Sequence, residues 1–386
     1  MKLKGFPLIA AALVLIASTA SLRAEFLYVS YGKGLLSLSV NRDTGSLTNL
    51  PGTPTLFGDG TGPITLDRTG RLLYVSTGGT VGIGSSSGPY TSIHGYRIAS
   101  NGQLIALPGS PYNVAGGFLA VDPFNRFLYA ASPVNPGTVA VYRIQPNGSL
   151  NAVPGSPFPT GLDSSSIAVD PFGRFVYVSN FTSKTVSVFS VLGNGVLRPV
   201  PGSPFATGKA GVSIVTEFTG RFIYVASDLN IAITTYKVAG NGVLTQVGTP
   251  VANSEPWCEQ LGYNPVGGYI YLLSDTSRFN SYHINPVTGL LESLGFGDVG
   301  DSITQNNPVG VAVTPDGKFV YEGNSNSIAD LFPMSLSGFK VGPAGALTLV
   351  PGAPYFPLGT GDGNGARHDP IDEPTLGWPS SMVVAP

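Results

Sequence analysis

A short strand-like pattern ending its first half in tyrosine recurs seven times along the chain, and nothing else in the sequence limits the possible folds as strongly. The copies are Phe26-Leu-Tyr-Val-Ser, Leu72-Leu-Tyr-Val-Ser, Phe127-Leu-Tyr-Ala-Ala, Phe175-Val-Tyr-Val-Ser, Phe222-Ile-Tyr-Val-Ala, Tyr269-Ile-Tyr-Leu-Leu and Phe319-Val-Tyr-Glu-Gly. Their central tyrosines are Tyr28, Tyr74, Tyr129, Tyr177, Tyr224, Tyr271 and Tyr321, spaced 46, 55, 48, 47, 47 and 50 residues apart. A repeat of that length holding several strands is the signature of a propeller blade.

Each unit offers four strands. In one unit an apolar stretch, Ile167-Ala-Val, runs into the turn Asp170-Pro-Phe-Gly, and the tyrosine strand follows. A third strand alternates, Thr185-Val-Ser-Val-Phe-Ser-Val, and a Gly-Asn-Gly turn leads to a fourth, Val196-Leu-Arg-Pro-Val. Proline fixes φ and glycine supplies positive φ, which is what such hairpin turns need. The Pro-Gly-Ser-Pro that follows the fourth strand, as at 154–157 and 201–204, suits an outermost edge, where a missing N–H costs least. The first tyrosine strand has no innermost strand before it, and Ser381-Met-Val-Val-Ala-Pro at the other end reads as an innermost strand without a partner. Their pairing would close the ring. The sequence therefore predicts one all-β domain over 25–386, a seven-bladed β-propeller of four-stranded antiparallel blades. A seven-repeat solenoid would need polar capping repeats, and neither end carries one.

Only 11% of the residues are charged, against 52 glycines and 33 prolines, which fits short strands and tight turns rather than long amphipathic helices. Residues 1–24 stand apart. Lys2 and Lys4, the apolar run from Leu8 to Ala17 and small residues up to Ala20 and Ala24 have the layout of a secretory signal peptide, with cleavage after Ala20 or Ala24. A secreted or periplasmic protein is expected. Removal of that segment leaves 17 basic and 22 acidic residues, a net charge of −5 with no basic stripe, so nucleic acid is not an expected partner. No stretch reaches the length of apolar sequence that spans a bilayer. Cys258, the single cysteine, rules out a disulfide framework and a cysteine metal cluster. The closed ring is expected to act as a monomer.

The unit of innermost strand, Pro-x-Gly-Arg/Lys turn and Phe-x-Tyr-Val resembles the seven-bladed lactonase family, which includes bacterial 6-phosphogluconolactonases and fungal muconate-lactonising enzymes. Val176-Tyr-Val-Ser-Asn is similar also to the Tyr-Val-Thr-Asn repeats of surface-layer propellers. The resemblance implies a site on the face where the loops after the tyrosine strands meet those entering the innermost strands. It implies a histidine and an arginine twelve residues before two blade tyrosines, a glutamate in an Asn-Glu-Leu, and an arginine in a Ser-Asn-Arg. Here the twelve-before positions are Gly62, Gly117, Ser165, Val212, Glu259 and Val309, with Ser380 as the apparent equivalent in the closing blade. The family's histidine position is Ser165 and its arginine position Val212. The Asn-Glu-Leu site reads Ser227-Asp228-Leu229, and the Ser-Asn-Arg site reads Leu273-Ser274-Asp275. A mouth carrying Asp228, Glu259 and Asp275 without the matched Arg or His would repel an anionic sugar phosphate, while lactone opening needs an activated water and donors for the oxyanion.

The reading from this is an exported, lactonase-like propeller that binds a small carbohydrate-like ligand or a protein at its loop face. The alternative is a divergent lactone or ester hydrolase using Asp228, Glu259 or Asp275 as general base. Trp257, Gln260, Arg278 and Trp378 are candidate ligand contacts near the channel, where an aromatic beside a carboxylate suits a sugar. His94, His283 and His368 lack metal spacing. Asp362, Asn364, Asp369 and Asp372 carry oxygens of the kind Ca²⁺ takes, but Ala366 and Arg367 interrupt the calcium-loop pattern. No cofactor is expected, with Ca²⁺ as the one alternative.

Overall fold

The computed structural model describes residues 25–31, 34–57, 60–79, 89–227, 232–252, 258–274, 278–298, 306–326, 335–355 and 381–386. The expected signal peptide, 1–24, lies outside them. Seven antiparallel sheets follow one another, each a meander from innermost to outermost strand. Blade 1 is assembled from both ends of the domain: Ser381–Ala385 is its innermost strand, followed by Glu25–Tyr31, Gly34–Val40 and Leu47–Asn49. Blades 2 to 7 have innermost strands Thr61–Leu66, Phe118–Val121, Ser164–Val169, Gly211–Thr216, Cys258–Asn264 and Asn306–Val313. The propeller, its seven blades and its closure are as the repeat predicts. One detail goes further. In blades 1, 3 and 4 the segment after Pro-Gly-Thr/Ser-Pro returns to the third strand, as Thr55–Leu56, Phe158–Pro159 and Phe205–Ala206, so the outer edge is built of two short pieces.

The hydroxyl of that motif has a use. Thr53, Ser110, Ser156 and Ser203 each accept a hydrogen bond from a third-strand N–H (Ser37, Gly95, Val141 and Val188) at 2.8–3.0 Å. The motif thus satisfies a backbone donor where the outer strand breaks off.

The repeated tyrosine is buried in every blade, and in four blades its hydroxyl reaches into the next one. Tyr28, Tyr74, Tyr224 and Tyr321 donate to the carbonyls of Gly102, Gly148, Gly289 and Gly45 at 2.7–2.9 Å. Each of these glycines sits at positive φ in the hairpin between the third and fourth strands of the following blade. The aromatic two residues earlier packs on the same turn: a Cβ on Gly102, Gly289 or Gly45 would strike the ring of Phe26, Phe222 or Phe319. Phe-x-Tyr and the hairpin glycine are therefore two halves of one joint between neighbouring blades. Tyr74→Phe should cost about 1 kcal/mol by leaving the Gly148 carbonyl without its donor. Gly102→Ala should cost more, because φ is +81° there and Phe26 must move. Urea unfolding of both variants checks the order.

Closure is double-sided. Ser381–Ala385 pairs with Phe26–Ser30, from Phe26 opposite Ala385 to Ser30 opposite Ser381. Met382 and Val384 join the core between blades 7 and 1, among Leu27, Leu36, Phe319, Tyr321 and Leu336. Val383 and Ala385 face the opposite way, into the core between blades 1 and 2 with Phe26, Tyr28, Ile64 and Leu73. Alternation along one strand lets four residues seal two seams.

Candidate functional site

The antiparallel meander sends the tyrosine strands toward one end of the ring and starts the innermost strands there, so the sites implied by the lactonase resemblance share one face. A β-bulge recurs at the start of the innermost strands. Register shifts fall between Ser164 and Ser166, Gly211 and Ser213, Cys258 and Leu261, and Pro308 and Gly310. The twelve-before positions Ser165, Val212, Glu259 and Val309 lie inside these bulges. An extra residue in one strand re-aims its side chain, which is why bulges recur beside functional sites.

What these positions hold differs from blade to blade. Ser165 is buried, its Oγ 2.8 Å from Ser179 Oγ and donating to the Gly211 carbonyl at 2.5 Å. It ties blade 4 to blade 5. Val212 is buried in the apolar core shared by blades 5 and 6. Neither presents a base or a cation. Glu259 has its backbone in the bulge of blade 6, and its side chain lies outside the described residues.

The neighbouring position, eleven before each tyrosine, forms a series the sequence reading missed. Ser166 accepts a hydrogen bond from Ile214 N at 3.2 Å, Ser213 from Leu261 N at 3.1 Å, and the Oε1 of Gln260 from Val311 N at 3.0 Å. Each polar side chain hooks the innermost strand of the next blade. Gln260, singled out as a ligand contact, is the third member of this series, and its Oε1 is held between blades 6 and 7. The signal was in the sequence: Ser, Ser and Gln stand at one offset in consecutive repeats of otherwise apolar strands.

Arg278 opens the third strand of blade 6, opposite Ser274 and Asp298 in register. Its side chain lies outside the described residues, as do Asp228, Trp257, Asp275, Trp378 and the four oxygen-bearing residues Asp362, Asn364, Asp369 and Asp372. Among the described residues no group of three or more His, Cys, Asp or Glu side chains is placed to hold a metal ion, and no helix is long and apolar enough to cross a membrane.

At the other end of the channel the first turn of blades 2 to 5 is built on a buried acid, Asp67, Asp122, Asp170 or Glu217. Asp122 and Asp170 each accept hydrogen bonds from two backbone N–H groups and from the Nε and Nη2 of the arginine four residues on, Arg126 or Arg174, at 2.7–2.9 Å from the guanidinium. That hydrogen-bonded pairing holds both arginines above their ordinary pKa. Between blades 2, 3 and 4 this end opens as a cavity of about 430 Å³, walled by Leu66, Leu119, Val121, Ile167 and Val169 with Arg68 at its edge.

Comparison with known proteins agrees with this architecture. Residues 80–201 match the family described as "Lactonase, 7-bladed beta-propeller". No curated protein matches the chain. Among solved structures, the periplasmic gluconolactonase PpgL of Pseudomonas aeruginosa is similar with a TM-score of 0.70 at 18% identity, over 94% of this chain and 99% of that one. A functionally unknown protein from Desulfotomaculum acetoxidans gives 0.65 at 15% identity, over 85% of this chain and 95% of that one. A Bacteroides uniformis protein provisionally assigned as a 6-phosphogluconolactonase gives 0.65 at 17% identity, over 84% and 94%. At such identities the likeness speaks for the fold. By its blades and by the family match over residues 80–201, the chain is a lactonase-like seven-bladed β-propeller.

Proposed function

We propose that this chain is an exported, non-catalytic binding protein that uses the loop face of its propeller to hold a small carbohydrate-like ligand or a protein segment. The observation that carries the reading is the state of Ser165 and Val212. Where the resemblance implies a histidine and an arginine, one residue is hydrogen-bonded between blades and the other is packed in the core. Binding at the loop face would use Trp257, Trp378 and Arg278, with Asp228, Glu259 and Asp275 as acceptors for ligand hydroxyls. No cofactor is required in this reading; Ca²⁺ held by Asp362, Asn364, Asp369 and Asp372 is the variant tested alongside it.

The fold's likeness to a periplasmic gluconolactonase favours a second reading, a divergent lactonase in which one of the three carboxylates acts as general base. The experiment is turnover of glucono-1,5-lactone by the mature protein in a pH-stat, with and without Ca²⁺. The binding reading expects the spontaneous rate under both conditions. Turnover above that rate, abolished by Asp228→Asn, would replace it with the lactonase reading.

A further inference from the structure

We propose a second binding site on the face opposite the loop face, in the seam between blades 5 and 6, with specificity for a small planar carboxylate such as an aryl carboxylate. The site exists because two departures from the repeat fall on the same seam. At the seams after blades 3 and 4, the arginine that pairs with the turn acid also reaches the next blade's first turn, its Nη2 3.4 Å from the carbonyl of Gly173 or Gly220. Those guanidiniums are held by their own carboxylates and lie between the turns.

Blade 5 breaks the pattern first. Its acid is Glu217, and Thr219 stands where Phe124 and Phe172 stand in blades 3 and 4. Glu217 takes the hydroxyl and N–H of Thr219 and the N–H groups of Arg221 and Phe222 instead of a guanidinium. Arg221 turns outward, donating through Nε to Thr219 Oγ1 at 3.0 Å and through Nη2 to the Pro286 carbonyl at 2.5 Å. Three of its five N–H donors are left over, and it forms no ion pair among the described residues. Blade 6 breaks the pattern second. Gly267 and Gly268 occupy the end of its first turn and line the cleft, so no side chain from these two positions fills it.

The result is a cleft of about 350 Å³, within the range of small-molecule sites. Its walls are Phe218, Phe222, Pro265, Ile284 and Pro286, flat or apolar surfaces suited to a ring. Phe218 is 60% exposed and offers a ring face as one wall of the cleft. The cleft's polar lining includes Arg221, Tyr263 and His283. Tyr263 Oη already accepts from Phe218 N at 3.0 Å, so its proton is available to an acceptor, and burial pushes its pKa up to about 12, keeping it a donor. A planar guanidinium with adjacent unused N–H groups recognises a carboxylate bidentately. The neighbouring Glu217 does not compete for it, because that carboxylate is 4% exposed and its oxygens already accept four donors.

The test is titration of the mature protein with benzoate and with benzamide, followed by NMR shifts or calorimetry. Benzoate is expected to bind with saturation and benzamide at least about tenfold more weakly, the usual worth of a charge-assisted hydrogen bond. Arg221→Met keeps the apolar stem of an exposed residue and should weaken benzoate by about tenfold or more, leaving benzamide unchanged. Tyr263→Phe should weaken benzoate by a smaller factor. Equal affinity for the acid and the amide, no saturation with benzoate, or unaltered benzoate binding by a folded Arg221→Met protein would each overturn the proposal. Loss of lactone turnover or of loop-face binding bears on neither arm, because the two sites lie at opposite ends of the blades.

Discussion

Glu322→Val is expected to stabilise the protein by about 3 kcal/mol at pH 7, read as a higher urea midpoint with an unchanged slope. The position follows the blade tyrosine directly, and the other six blades place Val29, Val75, Ala130, Val178, Val225 and Leu272 there. All of these are buried, and so is Glu322, at 0% exposure. In register it lies opposite Val311 and Ser337, with Val320 and Phe339 in the adjoining core cluster of blades 6 and 7. Among the described residues neither carboxylate oxygen has a hydrogen-bond partner, and the Ser337 hydroxyl opposite it in register has none either. Burial alone pushes the Glu322 pKa up to about 8. Valine matches the volume of glutamate closely, so the substitution removes a desolvated acid without opening a cavity.

The pH dependence follows from the sign of that shift. Between the ordinary glutamate pKa of 4.5 and about 8, the folded protein keeps a proton that the unfolded chain has released. Folding then takes up a proton, so stability falls as pH rises through this window. The full effect is on the order of 4–5 kcal/mol above pH 8 and absent below 4.5. The stability difference between Glu322→Val and the wild type should therefore grow from pH 4.5 to pH 8 and then level off. Glu322→Gln, which keeps a polar group but cannot titrate, should remove the pH-dependent part and retain most of the burial cost. A Glu322→Val protein no more stable than wild type at pH 8 would mean that the carboxylate is paired in solution.

Glu322 also marks how far the sequence could be read. Aligning the seven tyrosines exposes it at once as the one acid in a column of apolar residues, yet only the sheet register says that nothing answers it. The same division runs through the blades. The tyrosine period announces a propeller because it is a local pattern repeated, but Tyr74 donates to a glycine 74 residues away. Sequence periodicity carries no statement about which turn of the next unit a side chain meets. Gln260 was misleading for a related reason. Next to Trp257 and Glu259 it looks like part of a ligand surface, whereas its place in the repeat aligns it with Ser166 and Ser213, which hook one blade to the next. Ser165 and Val212 were legible as substitutions at family positions; that one would be tied to Gly211 and the other sunk in a core depends on the bulge, which no local pattern announces.

Deletion of residues 381–386 should abolish cooperative folding, an outcome visible as loss of the thermal transition in near-ultraviolet circular dichroism. These residues supply a whole strand, and the loss is not confined to one blade. Removing Met382 and Val384 uncovers the seam toward blade 7, and removing Val383 and Ala385 uncovers the seam toward blade 2. At roughly 1.5–3 kcal/mol for each large apolar side chain, the lost burial is on the order of 5–8 kcal/mol, before the backbone hydrogen bonds to Phe26–Ser30 are counted. That is comparable to the whole stability of an ordinary domain, which is why a ring closed by one strand cannot spare it. The deletion also creates an edge. Phe26–Ser30 would present unpaired N–H and C=O groups along a buried, apolar strand, the kind of surface that recruits a second chain. A synthetic peptide of sequence 381–386 added in trans should restore part of the transition if closure is the cause. A truncated protein that melts at the wild-type temperature would place the closure energy elsewhere, in the joints of blade tyrosine on hairpin glycine.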